Sequence, residues 1–133
     1  MANQETKTRN YGLHLTLDGC GADAQKLNDI NLLFETLSYL PEKIGMNKIG
    51  FPHIAQFKDE EIFGISGIIM VVESHISIHT YPKKEFISMD VYSCKQFDHE
   101  KVINIIKKVY KIKEVEINLF DRGKKFPVNN LHK

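Results

Sequence analysis

Seven side chains able to attack a carbonyl or move a proton fall within one stretch of the chain: Ser66, Glu73, Ser74, His75, Ser77, His79 and Cys94. A serine hydroxyl becomes a nucleophile when a base assists it. A histidine exchanges protons near neutrality, and a thiol can deliver one. Spacing narrows the chemistry. His75 and His79 are four apart, which suits metal chelation on a helix, but on a strand they stand about 13 Å apart, so no metal site follows. A hydrolase nucleophile often sits in Gly-x-Ser-x-Gly, and Gly64-Ile-Ser-Gly67 lacks that spacing. No glycine-rich phosphate loop is present. The plain alternative is that these residues line the wet face of a sheet, as alternating polar residues commonly do.

The elements that must position them follow from periodicity. Tyr11 to Leu17 alternates, with Leu13, Leu15 and Leu17 on one face, and reads as a half-buried strand. Asp23 is a helix N-cap for Leu27, Ile30, Leu33, Phe34, Leu37 and Leu40, a run that Pro41 closes. Lys43 to Phe57, interrupted by Gly45, Gly50 and Pro52, reads as short or bent strands. Ile62 to Glu73 is apolar enough for a strand buried on both faces. Ser74 to Tyr81 alternates, with Ile76, Ile78 and Thr80 opposite His75, Ser77, His79 and Tyr81. Pro82 to Glu85 is a turn and Phe86 to Cys94 a strand. Asp98 caps a second helix with Val102, Ile105, Ile106 and Val109 inward, and Lys111 to Phe120 is a strand. Asp121 to Gly123 is a turn, with loose tails at 1–9 and after it. This predicts an α+β fold, an antiparallel sheet with helices on one face in a two-layer sandwich. The bare face invites a second copy.

At 133 residues the chain is expected to form a single domain, 1–133, around one core. Hydrophobic residues make up 42% and charged ones 26%, and the net charge is +1, so neither nucleic acid nor an acidic membrane surface is a favoured partner. No apolar run is long enough to span a bilayer, because Ser66 and Gly67 break the longest. Cys20 and Cys94 form no paired-cysteine motif, and a reducing cytoplasm is the expected location.

The run Glu73-Ser-His-Ile-Ser-Ile-His-Thr80, with Gly64-Ile-Ser-Gly67 before it and Asp90-Val-Tyr-Ser-Cys94 after it, resembles the pyruvoyl-dependent S-adenosylmethionine decarboxylases in their short prokaryotic form. The resemblance extends from about Gly12 to Pro127. It implies a zymogen that cuts itself between Glu73 and Ser74 into residues 1–73 (beta chain) and 74–133 (alpha chain). Ser74 would become a pyruvoyl group, the covalent cofactor, which forms a Schiff base with substrate and accepts electrons during decarboxylation. By the same pattern Ser66 assists the acyl shift, His79 the elimination, and Cys94 protonates the decarboxylated carbon. The implied role is to supply decarboxylated S-adenosylmethionine for spermidine biosynthesis.

Strand geometry adds a constraint. In one extended strand His79 lies roughly 16 Å from Ser74, and Ser66 roughly 26 Å from it unless the strand folds back, whereas proton transfer needs ~3 Å. A homodimer with composite sites, stacked as four layers in α/β/β/α order, would bring a partner's Ser66 and His79 to Ser74, with Cys94 coming from either chain. For substrate binding, the resemblance implies stacking aromatics, for which Phe57 and Phe63 are candidates. The family's acidic residue after the Tyr-Pro equivalent is Lys83 here. Glu85 is then the candidate acid for ribose hydroxyls, since a lysine cannot accept hydrogen bonds. The acidic run Asp59-Glu60-Glu61 could instead receive a cationic substrate. Ornithine or arginine decarboxylation on the same scaffold is therefore an alternative, and a non-catalytic regulatory paralogue is another.

Overall fold

The computed structural model describes residues 6–59 and 61–133. Along the chain run β1 (Thr8–Arg9), β2 (Gly12–Cys20), α1 (Ala24–Leu27), α2 (Ile30–Lys43), β3 (Lys48–Lys58), β4 (Phe63–Val71), β5 (Ser74–Tyr81), a 3₁₀ turn (Pro82–Lys84), β6 (Phe86–Ser93), α3 (His99–Tyr110), β7 (Glu114–Arg122) and β8 (Phe126–Pro127). Six strands make one antiparallel sheet in the order β3-β4-β5-β6-β2-β7, and β1 and β8 form a separate two-stranded ribbon. The fold is α+β, as expected.

Alternation decides which side of the sheet carries the core. Leu15, Leu17, Ile76, Ile78, Ile87 and Val91 are fully buried under the helices, each contributing about 1.5–3 kcal/mol. α2 packs across β3, β4 and β5, and α3 lies over β2. Among the described residues no helix covers the opposite face, so β4 is not buried on both sides as its composition suggested: Ile68 is 40% and Met70 59% exposed.

The first helix is two helices. Asp23 accepts N–H bonds from Gln25 and Lys26, and Asp29 restarts the run by accepting from Leu32. Each such cap is worth about 1 kcal/mol, and the polar Asn28-Asp29 pair favours a break over a helix interior. Pro41 does not end α2. Its ring is buried and its carbonyl takes the Met46 N–H at 2.8 Å, so the last turn runs on to Lys43. In α3 the buried stripe is Val102, Ile103, Ile106 and Tyr110, with Ile105 and Val109 only partly covered, because the stripe extends to seat the large Tyr110 ring. Of the segment Lys43 to Phe57, Lys43 ends α2, a turn follows, and from Lys48 the chain is one long strand with a bulge between Ile49 and His53. At the C-terminus β7 continues through Arg122, and the tail returns as β8 against Thr8–Arg9, so parts of both expected loose tails are paired, while residues 1–5 lie outside the described residues.

Candidate active site

β4 and β5 form a hairpin whose two connecting residues are Val72 and Glu73, placing Val71 opposite Ser74. Neither connecting residue has positive φ, so this is not one of the mirror-image turns that match strand twist. Ser74 follows with a φ of 157°, just outside the extended range most side chains adopt. Asn47, at the entry to β3, clamps this turn three ways. Its carbonyl accepts the Val72 N–H at 2.9 Å, its own N–H donates to Glu73 Oε1 at 2.9 Å, and its Nδ2 donates to Oε2 at 3.1 Å. The Lys95 ammonium stands 3.9 Å from the same carboxylate. Burial alone would raise the Glu73 pKa, but the Asn47 donors and Lys95 outweigh it and hold the group below its ordinary value.

The Glu73 carbonyl oxygen accepts the Cys94 N–H at 2.8 Å. Cys94 can come this close because β2 begins with Gly12, where a Cβ would lie 1.7 Å from the Ser93 carbonyl oxygen. Ser93 is itself opposite Ser74 in the β5–β6 ladder. The Ser74 hydroxyl lies 3.0 Å from the Tyr11 hydroxyl. Glu73, Ser74 and Cys94 therefore meet within one chain, and the two cysteines, Cys20 and Cys94, are both free thiols.

Ser66 and His79 meet elsewhere. The hairpin puts them opposite each other, with Ser66 Oγ 2.8 Å from His79 Nδ1. The strand does fold back, which sets Ser66 level with His79 on the neighbouring strand. Both remain roughly 16 Å down β5 from the serine. They line a shallow groove of about 280 Å³ on the bare face with His53, Ala55, Ile68 and Ser77. His75, at the groove's other end, belongs to a third cluster. Asp90 Oδ2 receives His14 Nε2 at 2.8 Å and His75 Nε2 at 3.0 Å, and Ser77 donates to its other oxygen. Arg122 donates to His14 Nδ1 at 3.1 Å, which fixes the tautomer: Nδ1 accepts and the Nε2 hydrogen points at Asp90. Partial burial would raise the Asp90 pKa, but the bonds from Ser77, His14 and His75 pull it below the usual range.

The substrate-binding candidates do not share a surface. Phe57 has the strand parity of His53 and Ala55 and shares the bare face with the groove, 43% exposed. Phe63 has the parity of the buried Ile65, on the helix side, with the Lys83 ammonium 5.4 Å and the Lys58 ammonium 6.0 Å from its ring centre. Glu85 is an exposed left-handed residue ending the 3₁₀ turn, with its N–H bonded to the Pro82 carbonyl. Asp59 uses its carboxylate to accept the N–H groups of Glu61 and Ile62, and Glu60 lies outside the described residues.

Sequence reasoning missed Tyr11, Asn47, Lys95, His14 and Asp90. Asp90 carried a signal: a carboxylate in the middle of the alternating strand Ile87-Ser-Met-Asp-Val91 must find donors wherever its face is covered. Asn47 carried none, since it acts mostly through its backbone.

A sequence model of the S-adenosylmethionine decarboxylase family matches residues 13–123. An S-adenosylmethionine decarboxylase proenzyme of Pyrococcus furiosus is 31% identical over 113 residues, covering 84% of this chain and 78% of that one. Its counterpart in Clostridium botulinum strain Langeland is 33% identical over 114 residues, covering 85% and 95%. Among solved structures, the adenosylmethionine decarboxylase of Aquifex aeolicus superposes with a TM-score of 0.74 at 26% identity, covering 94% of this chain and 98% of that one. With this match running from β2 through β7, the chain belongs to the S-adenosylmethionine decarboxylase family.

Proposed function

We propose that this chain cleaves its own Glu73–Ser74 bond, converts Ser74 into a pyruvoyl group and decarboxylates S-adenosylmethionine in the cytoplasm, for spermidine synthesis. The observation that carries the reading is the Cys94 N–H bonded at 2.8 Å to the Glu73 carbonyl oxygen. A donor aimed at that oxygen stabilises the negative charge that grows there when a nucleophile attacks, and the next residue along the chain, Ser74, carries a hydroxyl.

The residues fit the group. Ser74 Oγ bonds to the Glu73 carbonyl carbon, the C–N bond breaks, and the hydroxyl proton ends on the Ser74 nitrogen. A base then removes the Ser74 α-proton, and the Cβ–Oγ bond breaks with Glu73 leaving as a carboxylate. The dehydroalanine so formed shifts a proton from nitrogen to Cβ to become an imine, water adds to the imine carbon, and ammonia departs. Once formed, the pyruvoyl group supplies an electrophile for the substrate amine and an electron sink for the departing carboxylate. Cys94, whose backbone already grips the site, has the thiol suited to return a proton to the substrate carbon.

Ser66 and His79 complete the site from a second copy. Hydrogen-bond reach is ~3 Å and their own Ser74 is roughly 16 Å away. Ile68, Met70 and Phe57, all substantially exposed on the bare face, give that copy an apolar surface to cover. The dimer is then four layers, with His79 of one protomer serving the elimination at Ser74 of the other. Lys83, seated by the Phe63 ring, stands where the family has an acid, which keeps ornithine and arginine as substrates to test. The full set of Ser66, Ser74, His79 and Cys94 favours an enzyme over a regulatory paralogue.

Intact mass tests the cleavage. The expected result is two fragments, 1–73 and 74–133, the second lacking a free amine. CO₂ release from labelled S-adenosylmethionine, ornithine and arginine tests the substrate, with the first expected to react. A full-length chain that persists through prolonged incubation would overturn the reading.

A further inference from the structure

The Ser74 hydroxyl has one hydrogen-bond partner among the described residues, the Tyr11 hydroxyl at 3.0 Å. An unrestrained serine visits three staggered wells, and its Oγ approaches the preceding carbonyl in only a fraction of them. Tyr11 removes that freedom, and it is itself firmly held. Its ring packs on Tyr92 at 5.5 Å and on Phe126 at 5.0 Å between centroids. Its N–H donates to the Gly123 carbonyl at 3.0 Å. Gly123 has a φ of +67°, and a Cβ there would stand 2.3 Å from the Tyr11 Cβ, so only glycine allows the tail this close.

The clamp continues outward. Thr8 and Arg9 pair with Pro127 and Phe126, the Val128 N–H donates to the Lys7 carbonyl at 2.9 Å, and the Arg9 guanidinium lies 5.3 Å from the Phe126 ring centre. A ribbon of two-residue strands adds little stability by itself. It stands apart from the six-stranded sheet, and what it fixes is the segment that carries Tyr11.

We propose that Tyr11 is a positioning residue for self-cleavage, holding the Ser74 hydroxyl aimed at the Glu73 carbonyl, and that the C-terminal tail from Gly123 to Val128 acts on the reaction through it. The inference rests on the self-cleavage reading above. It assigns the tail, remote in sequence from the cut, a part in the first covalent step, in which the Oγ–C bond forms, the amide C–N bond breaks and the hydroxyl proton passes to the Ser74 nitrogen. Later steps, which begin once Oγ is an ester oxygen, do not need that hydroxyl aimed.

The test follows cleavage of precursor freshly made by cell-free translation, for the wild type, Tyr11→Phe and Gly123→Ala. Tyr11→Phe keeps the ring and deletes the hydroxyl. It should cut about 10-fold or more slower than wild type with an unchanged melting midpoint, and its uncut chain should resist hydroxylamine because no ester has formed. Gly123→Ala should slow cleavage as well by moving Tyr11. Wild-type speed for Tyr11→Phe would overturn the proposal, as would accumulation of an ester that hydroxylamine opens, since that places the defect after the acyl shift. A wild-type chain that stays whole would instead overturn the self-cleavage reading itself, so the two failures are told apart.

Discussion

At the start of β5, Glu73 and Ser74 are gripped by four residues from three other parts of the chain: Asn47 before β3, Tyr11 before β2, and Cys94 and Lys95 after β6. At its far end, Ser66 and His79 hold each other beside an open groove. In the proposed reading, one end is a finished arrangement and the other is half of one. The difference teaches that a sheet can gather one cluster of side chains by its own register, while the length of a strand keeps another cluster out of its reach. Five residues of β5 exceed the reach of a proton several times over.

The strongest way to break this comparison is to disable each end separately. Ser74→Ala should abolish fragment formation entirely. His79→Ala should slow it by about 10²-fold or more, the typical worth of a positioned acid or base. Refolding the two variants together should then restore cutting of the His79→Ala chain, because the Ser74→Ala partner brings an intact Ser66–His79 pair. Failure of that complementation, read on a gel, would mean the two ends do not meet across protomers.

Cys94→Ser sharpens the finished end by separating backbone from side chain. The N–H to the Glu73 carbonyl survives, so cleavage should stay within a few-fold of wild type, while CO₂ release should fall about 10²-fold. Equal losses in both would tie the thiol to cleavage as well.

Smaller effects concern the contacts that hold each region. Asn47→Ala deletes one of the two donors to the buried Glu73 carboxylate and should cost about 1.5–3 kcal/mol in urea unfolding of an uncut Ser74→Ala background. Because the folded Glu73 pKa lies below its ordinary value of 4.5, its contribution is full above that pH and is lost as pH falls through the lower folded value. Glu73→Gln in the same background should flatten that acid limb. Asp90→Asn, at the centre of the bare face, should have the smallest effect, about 1 kcal/mol, since an amide keeps one acceptor for the surrounding donors.

Much of the layout was legible because periodicity reports burial directly: the alternation in Leu13 to Leu17 and Ile76 to Thr80 fixed strands and their inward faces. The bond at issue came from the run around Ser74, where residue types alone left a wet sheet face as the simpler reading. Other features depend on three-dimensional closure. The extended-strand estimate put Ser66 far beyond His79, yet a hairpin with no glycine or asparagine in its turn sets them side by side. Two of the three Asn47 bonds use main-chain groups, which every residue has. The Asn28-Asp29 break illustrates local chemistry outvoting a continuous apolar pattern, since two aspartate caps compete with one uninterrupted run.

The strand order decides whether the molecule survives a cut after Glu73. Residues 1–73 would hold β2, β3 and β4, and residues 74–133 would hold β5, β6 and β7, yet in the sheet β2 lies between β6 and β7 while β5 and β6 lie between β4 and β2. The two pieces are thus threaded through one another like interlaced fingers, joined along three seams in the sheet and a fourth in the ribbon of β1 and β8. They could part only by breaking every one of those seams, so severing the covalent link would cost the molecule its continuity and leave its shape in place.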